Sequence, residues 1–417
     1  MTPDFRTDPG GFLSALFNRA VAVADPMRVV AAHLPKRPKG RLIVIGAGKA
    51  SARMAEAVEA TLGPCDGLVI TRYGYARPCQ GIEIVEAAHP VPNMAGVQAT
   101  HRLLQLVDGL GPDDTVLALI SGGGSALLCA PAVGMTLNDK IAVNRALLAS
   151  GAPIGEMNVI RKHLSRVKGG QLATACHPAR LVTLMISDVP GDDPAEIASG
   201  PTVGEDSTPA NALALIEKRG ITLPDAAMAA LRAGSSVVAP CDPRLARAED
   251  HVIAAPAQSL AAAAAIAQAQ GVNVRILGDA LEGEARDLGR RQAQAALAAQ
   301  ADATAPLLLL SGGEATVTRR GEGIGGPNAE YVLAAMLELD GAPGIYVLAC
   351  DTDGVDGAAE VAGAIAGPDT MKDRMSAERA LSENDAHTWF ATHGGQIVTG
   401  PTLTNVNDFR AILVLPT

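Results

Sequence analysis

The amino-acid sequence predicts an α/β protein of two domains, each a mostly parallel sheet flanked by helices. Three observations carry that expectation. Short, nearly all-apolar runs recur along the chain, as in strands buried on both faces. Stretches with helical apolar spacing lie between them. At 417 residues the chain exceeds what one hydrophobic core comfortably organises.

Taken in order, residues 11–34 read as an amphipathic helix, with Leu13, Leu16, Phe17, Ala20 and Val21 at helical spacing, and Pro35 to Gly40 end it. Strands are expected at 41–45, 67–71, 115–120 and 181–186, then at 251–255, 272–277, 306–310, 345–350 and 411–415. Helices at 50–61, 210–219, 257–270, 284–299 and 328–339 would supply the crossovers of doubly wound sheets. The irregular stretch 234–250 is rich in Gly, Pro and Ser. It sets the expected boundary between a Rossmann-like domain at 1–245 and a smaller one at 246–417.

Composition narrows the function. A net charge of −10 and 2 % aromatic residues oppose duplex binding and base stacking, so no nucleic-acid partner is expected. The N-terminus has no basic stretch before an apolar run, and no apolar stretch is long enough to span a bilayer. A cytoplasmic protein without a membrane partner is expected. The six cysteines show no CxxC spacing, which favours reduced thiols over a zinc site or disulfide framework.

In open α/β sheets ligands bind beyond the carboxyl ends of the strands, and four such ends carry chemistry. After the first strand, Gly46 and Gly48 turn into a helix with Lys49 in its first turn, suiting an anion. The spacing is not that of a Walker A loop, and Ser51 stands where a dinucleotide fingerprint has its third glycine. The alternative is packing glycines and a solvated lysine. After the run TVLALI, Ser121, Gly122, Gly123, Gly124 and Ser125 form a candidate phosphate nest. Arg161, Lys162, His163, Arg166 and Lys168 lie within eight residues without one acid, and at helical spacing Arg161, Ser165 and Lys168 share a face. Such density in an acidic chain points to anion binding, with arginine suited to carboxylate or phosphate. In SDVPGDDPAEIASGPT, a type II turn at Pro190-Gly191 would fold Asp192 back near Asp188, for Mg²⁺ contact or as a base, or else simply to cap a helix.

The C-terminal half repeats the strand–SGG device at Ser311, Gly312 and Gly313, followed by Glu314. Asn328 follows a glycine-rich loop and could be a helix cap. The DTDGVDG segment at Asp351 lacks the residues of a calcium loop at Val355 and Ala362. Asn405 and Asp408 precede the last apolar run.

Together, GAGKAS, SGGGSALL, NVIRKHLSRVKGGQLA, SDVPGDDPAEIASGPT, SGGEATV, GGPNAE, DTDGVDG and TGPTLTNVNDFR resemble the glycerate 2-kinase family, whose C-terminal module is called MOFRL and whose members were often labelled hydroxypyruvate reductases. The likeness runs through almost the whole chain in order. It implies ATP, Mg²⁺ and glycerate meeting in a cleft between two α/β domains, with 2-phosphoglycerate as product. Many relatives have Arg where this chain has Pro327, so the role of that loop does not carry over directly.

On that reading Lys49 and the amides of Gly122 to Ser125 bind phosphoryl oxygens, with Gly46, Gly48, Gly312, Gly313, Glu314 and Asn328 in the nucleotide set. Arg161 and Lys162 hold the substrate carboxylate, Ser121 and Asn405 contact substrate, Asp188 serves the 2-hydroxyl, and Asp192 and Asp351 contact Mg²⁺. The alternative is an NAD(P)H-dependent hydroxypyruvate reductase. Against it, the run ending at Thr71-Arg72 lacks the acid that holds a ribose, although Arg72 could accept a 2′-phosphate. A non-catalytic sugar-acid sensor lacks a recognisable DNA-binding segment. The sequence leaves the oligomeric state open, a homodimer included.

Overall fold

A computed structural model describes residues 2–417. The chain forms two compact units, one of Pro26–Ser187 and Asp192–Ile253, the other of the segment ending at Asp25, Asp188–Gly191 and Ala254–Thr417. The first helix, α1 (Pro9–Val23), belongs to the latter.

The unit built around Pro26–Ser187 contains strands β1 (Leu42–Ala47), β2 (Asp66–Arg72), β3 (Ile82–Ala87), β4 (Thr115–Ser121), β5 (Arg180–Ile186) and β6 (Ala248–Ala254). Their order is β3-β2-β1-β4-β5-β6, and β3, β2, β1, β4 and β5 pair in parallel. Every residue of β4 is buried, which is why its sequence is apolar throughout. Its helices include α2 (Ser51–Leu62), α3 (Met94–Val107), α4 (Leu137–Ala149) and α5 (Ile154–His163). The strand order reverses between β1 and β4, so the loops after these strands flank the point where such sheets bind ligands.

The second unit adds α6 (Pro256–Ala269), β7 (Asn273–Gly278), α7 (Ala285–Ala301), β8 (Leu307–Gly313), α8 (Pro327–Leu339), β9 (Ile345–Asp351), β10 (Gly363–Ala366), β11 (Gln396–Ile397) and β12 (Asp408–Val414). The sheet order is β11-β10-β9-β12-β8-β7. Here the expectation of a mostly parallel sheet is corrected: β7 and β8 are parallel, but β12 runs antiparallel to both neighbours, and β9–β10 and β10–β11 are antiparallel too. The physical reason is that an all-apolar run reports burial on two faces, not direction. β12 is buried along its whole length and reads as a parallel strand would.

The unit boundaries also differ from the expected division at 245. β6 completes the first sheet, and α1 buries Phe12, Leu13, Leu16, Phe17 and Ala20 with Leu260, Ala263 and Ala267 of α6. Phe17 and Phe409 rings lie 6.0 Å apart, and Ser259 Oγ donates to the Ala20 carbonyl at 2.8 Å. An amphipathic helix names its apolar face, not the surface it will cover. Among the described residues no helix is long and apolar enough to cross a membrane.

Candidate functional site

The loops after β1 and β4 are locked together. Gly48 has φ +149°, and a Cβ there would stand 2.1 Å from Ser121 Oγ, so no side chain fits without parting the loops. Ser121 is fully buried, and its Oγ accepts from Ala50 N at 3.0 Å and shares a 3.1 Å hydrogen bond with Ser51 Oγ. Lys49 N donates to the Gly122 carbonyl at 2.8 Å. The expectation that Ser121 contacts substrate is therefore corrected: its hydroxyl holds the first turn of α2. Gly46 packs on the Leu119 carbonyl, where a Cβ would lie 2.4 Å away.

Gly123 is left-handed, with φ +79°, and a Cβ there would meet His89 Cδ2 at 3.0 Å and Lys49 Cγ at 3.3 Å. His89, Gly123 and Lys49 are thus neighbours, although nothing in the sequence singled out His89. At the end of β2, where a dinucleotide site carries its acid, buried Thr71 donates Oγ1 to the Gly48 carbonyl at 3.1 Å. The Arg72 guanidinium sits 5.3 Å from the Tyr75 ring centroid.

Beside these loops lies a pocket of about 480 Å³ whose polar wall includes Ser125, Lys140, Asn144, Arg161 and Lys168, with no Asp or Glu among its lining residues. Lys168 Nζ, on a buried side chain, donates to the carbonyls of Ser125 at 2.9 Å and Ala198 at 3.3 Å. Ser125 Oγ and Ser199 Oγ lie 2.6 Å apart. Ala198 and Ser199 hold left-handed backbone, φ 53° and 63°, a strain of roughly 1–3 kcal/mol each that is commonest at functional sites.

Burial lowers the affinity of all three cations for their protons. It takes Lys140 down to about 8, it lowers Arg161, and it drives Lys168 well below the usual lysine range, with the positive charges of Lys140, Arg161 and Lys162 adding to the last. Arg161 Nη1 donates to Asn158 Oδ1 at 3.3 Å, but its buried Nε finds no partner. Positive charge gathered away from water without a counter-charge is costly, and an anion entering the pocket would offset that cost.

The basic cluster divides because its helix stops early. α5 ends at His163, and Gly169 and Gly170 then turn left-handed, so the helical face expected through Lys168 does not exist. Lys162 is corrected from a substrate ligand to a buried structural cation: its Nζ pairs with Glu196 at 2.9 Å and Glu205 at 2.5 Å.

In the other unit, Asn405 Nδ2 donates to Asp188 Oδ2 at 2.9 Å, and Asn405 Oδ1 accepts from Asn407 N at 3.3 Å. The second bond fixes which end of the amide faces the carboxylate. Gly191 takes φ 80° and ψ 2°, the second central position of the expected type II turn. After it comes Asp192, whose buried Oδ1 has no partner. Asp351 Oδ1 accepts from Asp353 N at 2.9 Å. No three His, Cys, Asp or Glu side chains among the described residues gather as a metal-holding group.

The second SGG is not a loop like the first. Gly312 and Gly313 continue β8 opposite Phe409 and Asp408, and their carbonyls accept from Arg410 at 3.1 and 3.3 Å. Asn328 is buried, its Nδ2 donating to Asp408 Oδ1 at 2.6 Å. Asp356 caps α8 by accepting from Asn328 N at 2.9 Å and Ala329 N at 2.8 Å, and His387 Nε2 donates to it at 2.9 Å. Gly312, Gly313 and Asn328 are corrected from phosphate ligands to parts of a buried polar network, while Glu314 is exposed. Two strand–SGG motifs look alike in sequence, but Gly123 and Gly124 follow one strand whereas Gly312 and Gly313 finish the other.

Lys140, which lines this pocket, was not singled out by the sequence. One signal existed: on α4 it shares the buried stripe with Val143 and Leu147, and a lysine on an apolar face calls for a reason.

Residues 12–232 match a family model described as a domain of unknown function, DUF4147, and residues 307–408 match the MOFRL family. A protein of Agrobacterium vitis that carries hydroxypyruvate reductase as a provisional name is 53 % identical over 96 % of this chain and 94 % of its own. The D-glycerate 2-kinase of Thermotoga maritima is 38 % identical over 96 % of this chain and 97 % of its own. A crystal structure of glycerate kinase from Thermotoga maritima superimposes with a TM-score of 0.85 at 37 % identity, covering 96 % of this chain and 98 % of that one.

Proposed function

As a member of the MOFRL-containing glycerate 2-kinase family, this chain is a kinase, and we propose that it transfers the terminal phosphoryl group of ATP to the 2-hydroxyl of D-glycerate. The observation that carries this reading is the acid-free pocket of Lys140, Arg161 and Lys168 beside the Gly48–Lys49 and Ser121–Ser125 loops. Both substrates are anions, and transferring a phosphoryl group asks mainly for positioning and for positive charge.

Lys49 and the backbone of Gly122 to Ser125 are proposed to bind phosphoryl oxygens and balance the charge that develops on them. Arg161 is proposed to hold the glycerate carboxylate. Asp188, oriented by Asn405, accepts the proton of the 2-hydroxyl as the oxygen attacks phosphorus, and ADP departs from the opposite side. Mg²⁺ bound with the nucleotide supplies charge neutralisation on its phosphates. Asp192 and Asp351 are the proposed carboxylate contacts for it.

The test is direct. The purified protein is expected to consume ATP with D-glycerate and Mg²⁺, and to leave NADH and NADPH unoxidised with hydroxypyruvate. Enolase added without a mutase is expected to give phosphoenolpyruvate. A requirement for mutase would mean a 3-phosphate product and a misplaced hydroxyl, and NADPH consumption in place of ATP would end the kinase reading.

A second expectation concerns Arg161. Shortening it to Ala is expected to raise KM for glycerate about tenfold or more, while turnover of glycerol, which has no carboxylate, barely changes. Equal losses for both acceptors, or a change in the KM of ATP alone, would move Arg161 to the nucleotide.

A further inference from the structure

The pocket beside the two loops is far larger than a three-carbon acid needs. Its volume of about 480 Å³ lies in the range typical of cavities that bury drug-sized ligands. Its second wall is apolar, formed by Pro90, Val91, Ile141 and Leu148. Val91 is 56 % exposed and Leu148 66 %, so neither side chain is spoken for by the core. Glycerate offers nothing to cover such a wall.

Two polar groups in the pocket ask for complementary partners. The Lys140 side chain is 3 % exposed, and Cys129 and the cations Arg161 and Lys168 are the charged or titratable groups that act on it. Asn144, one turn further along α4, has a buried Oδ1 without a donor. An ammonium wants acceptor oxygens, whereas an amide oxygen wants an N–H or O–H. A ligand answering both needs negative charge at one place, donors at another and an apolar body between.

We propose that this pocket seats the nucleotide itself, with the nucleoside against Val91 and Leu148 and the phosphates on Lys140 and Lys168. The assignment rests on the kinase reading and deepens it, since the sequence motifs named only glycine loops for the nucleotide. It also accounts for a lysine that costs the fold stability. Because burial holds Lys140 near 8, below its unfolded value, the penalty is fully present below about pH 8 and fades as pH rises towards the ordinary lysine value.

The experiment measures, by calorimetry on the whole protein, binding of ATP, inorganic tripolyphosphate and adenosine, alongside thermal unfolding and KM for glycerate. Lys140→Met is expected to weaken ATP and tripolyphosphate about tenfold or more and spare adenosine. Its unfolding temperature should hold or rise, because a buried charge has gone. The surface double variant Val91→Ser/Leu148→Ser is expected to weaken adenosine and ATP about tenfold and spare tripolyphosphate. If wild-type protein binds ATP but both variants leave its affinity unchanged, or raise only the KM of glycerate, the pocket belongs elsewhere and the proposal falls while the kinase reading stands. If wild-type protein binds neither ATP nor tripolyphosphate, the kinase reading itself has failed.

Discussion

Replacing Lys49 with methionine is expected to lower kcat for glycerate phosphorylation about 100-fold or more, with the fold intact. Removing one preorganised donor from a developing oxyanion typically costs on the order of 2.7–4 kcal/mol, and a cation facing the transferring phosphoryl group is the stronger case. Methionine keeps the stem that packs near Gly123 and His89. The backbone bond from residue 49 to the Gly122 carbonyl is indifferent to the side chain. The loop should therefore hold its shape while losing its charge. Steady-state kinetics beside a thermal unfolding curve separate the two effects. Near-normal turnover in a folded variant would remove Lys49 from the mechanism.

Asp188→Asn is expected to reduce turnover by about 10²–10⁴, the range a general base contributes. Asn405 donates to Asp188 Oδ2, and the contact from Asn407 N holds Asn405 in that orientation. An amide oxygen at position 188 can accept the same bond, so geometry survives and basicity does not. Asp192→Asn, directly after the Pro190-Gly191 pair, should leave kcat at saturating Mg²⁺ nearly intact but raise the Mg²⁺ concentration needed to reach it. Wild-type rates and wild-type Mg²⁺ dependence in both Asn variants would reduce this segment to a turn and nothing more.

These two predictions draw on residues of unequal legibility. Lys49 was visible because glycines on either side of a strand-to-helix turn are a local signal, and the close approach of Gly48 to Ser121 bears out why no larger residue stands there. Asp188 was visible from its neighbours Pro190 and Gly191, whose turn geometry is likewise local. Asn405 was noticed only for its place before the last strand, yet its amide donates to Asp188. Their distance in sequence, more than two hundred positions, hides the pairing from any reading of spacing.

The basic segment marks where local reasoning stops. Counting three or four residues along a helix relates Arg161 to Lys168 only while the helix lasts, and it ends at His163. Beyond that point the left-handed Gly169 and Gly170 redirect the chain, so the cations separate. Lys162 goes to Glu196 and Glu205, while Arg161 and Lys168 line the pocket with Lys140.

By itself, then, the sequence determined the buried strands β1, β2, β4 and β5, the glycine turns after β1 and β4, the turn after β5, and the family. Each of these is written in short-range patterns, because burial on two faces demands apolar runs and tight turns demand glycine. Tertiary structure alone decided the direction of the second sheet, the docking of α1, the diversion of Gly312, Gly313 and Asn328 into a buried network, and the meeting of Lys140, Arg161 and Lys168. Those outcomes depend on which distant surface covers a face and which distant charge answers a charge, and neither is encoded in the residues nearby.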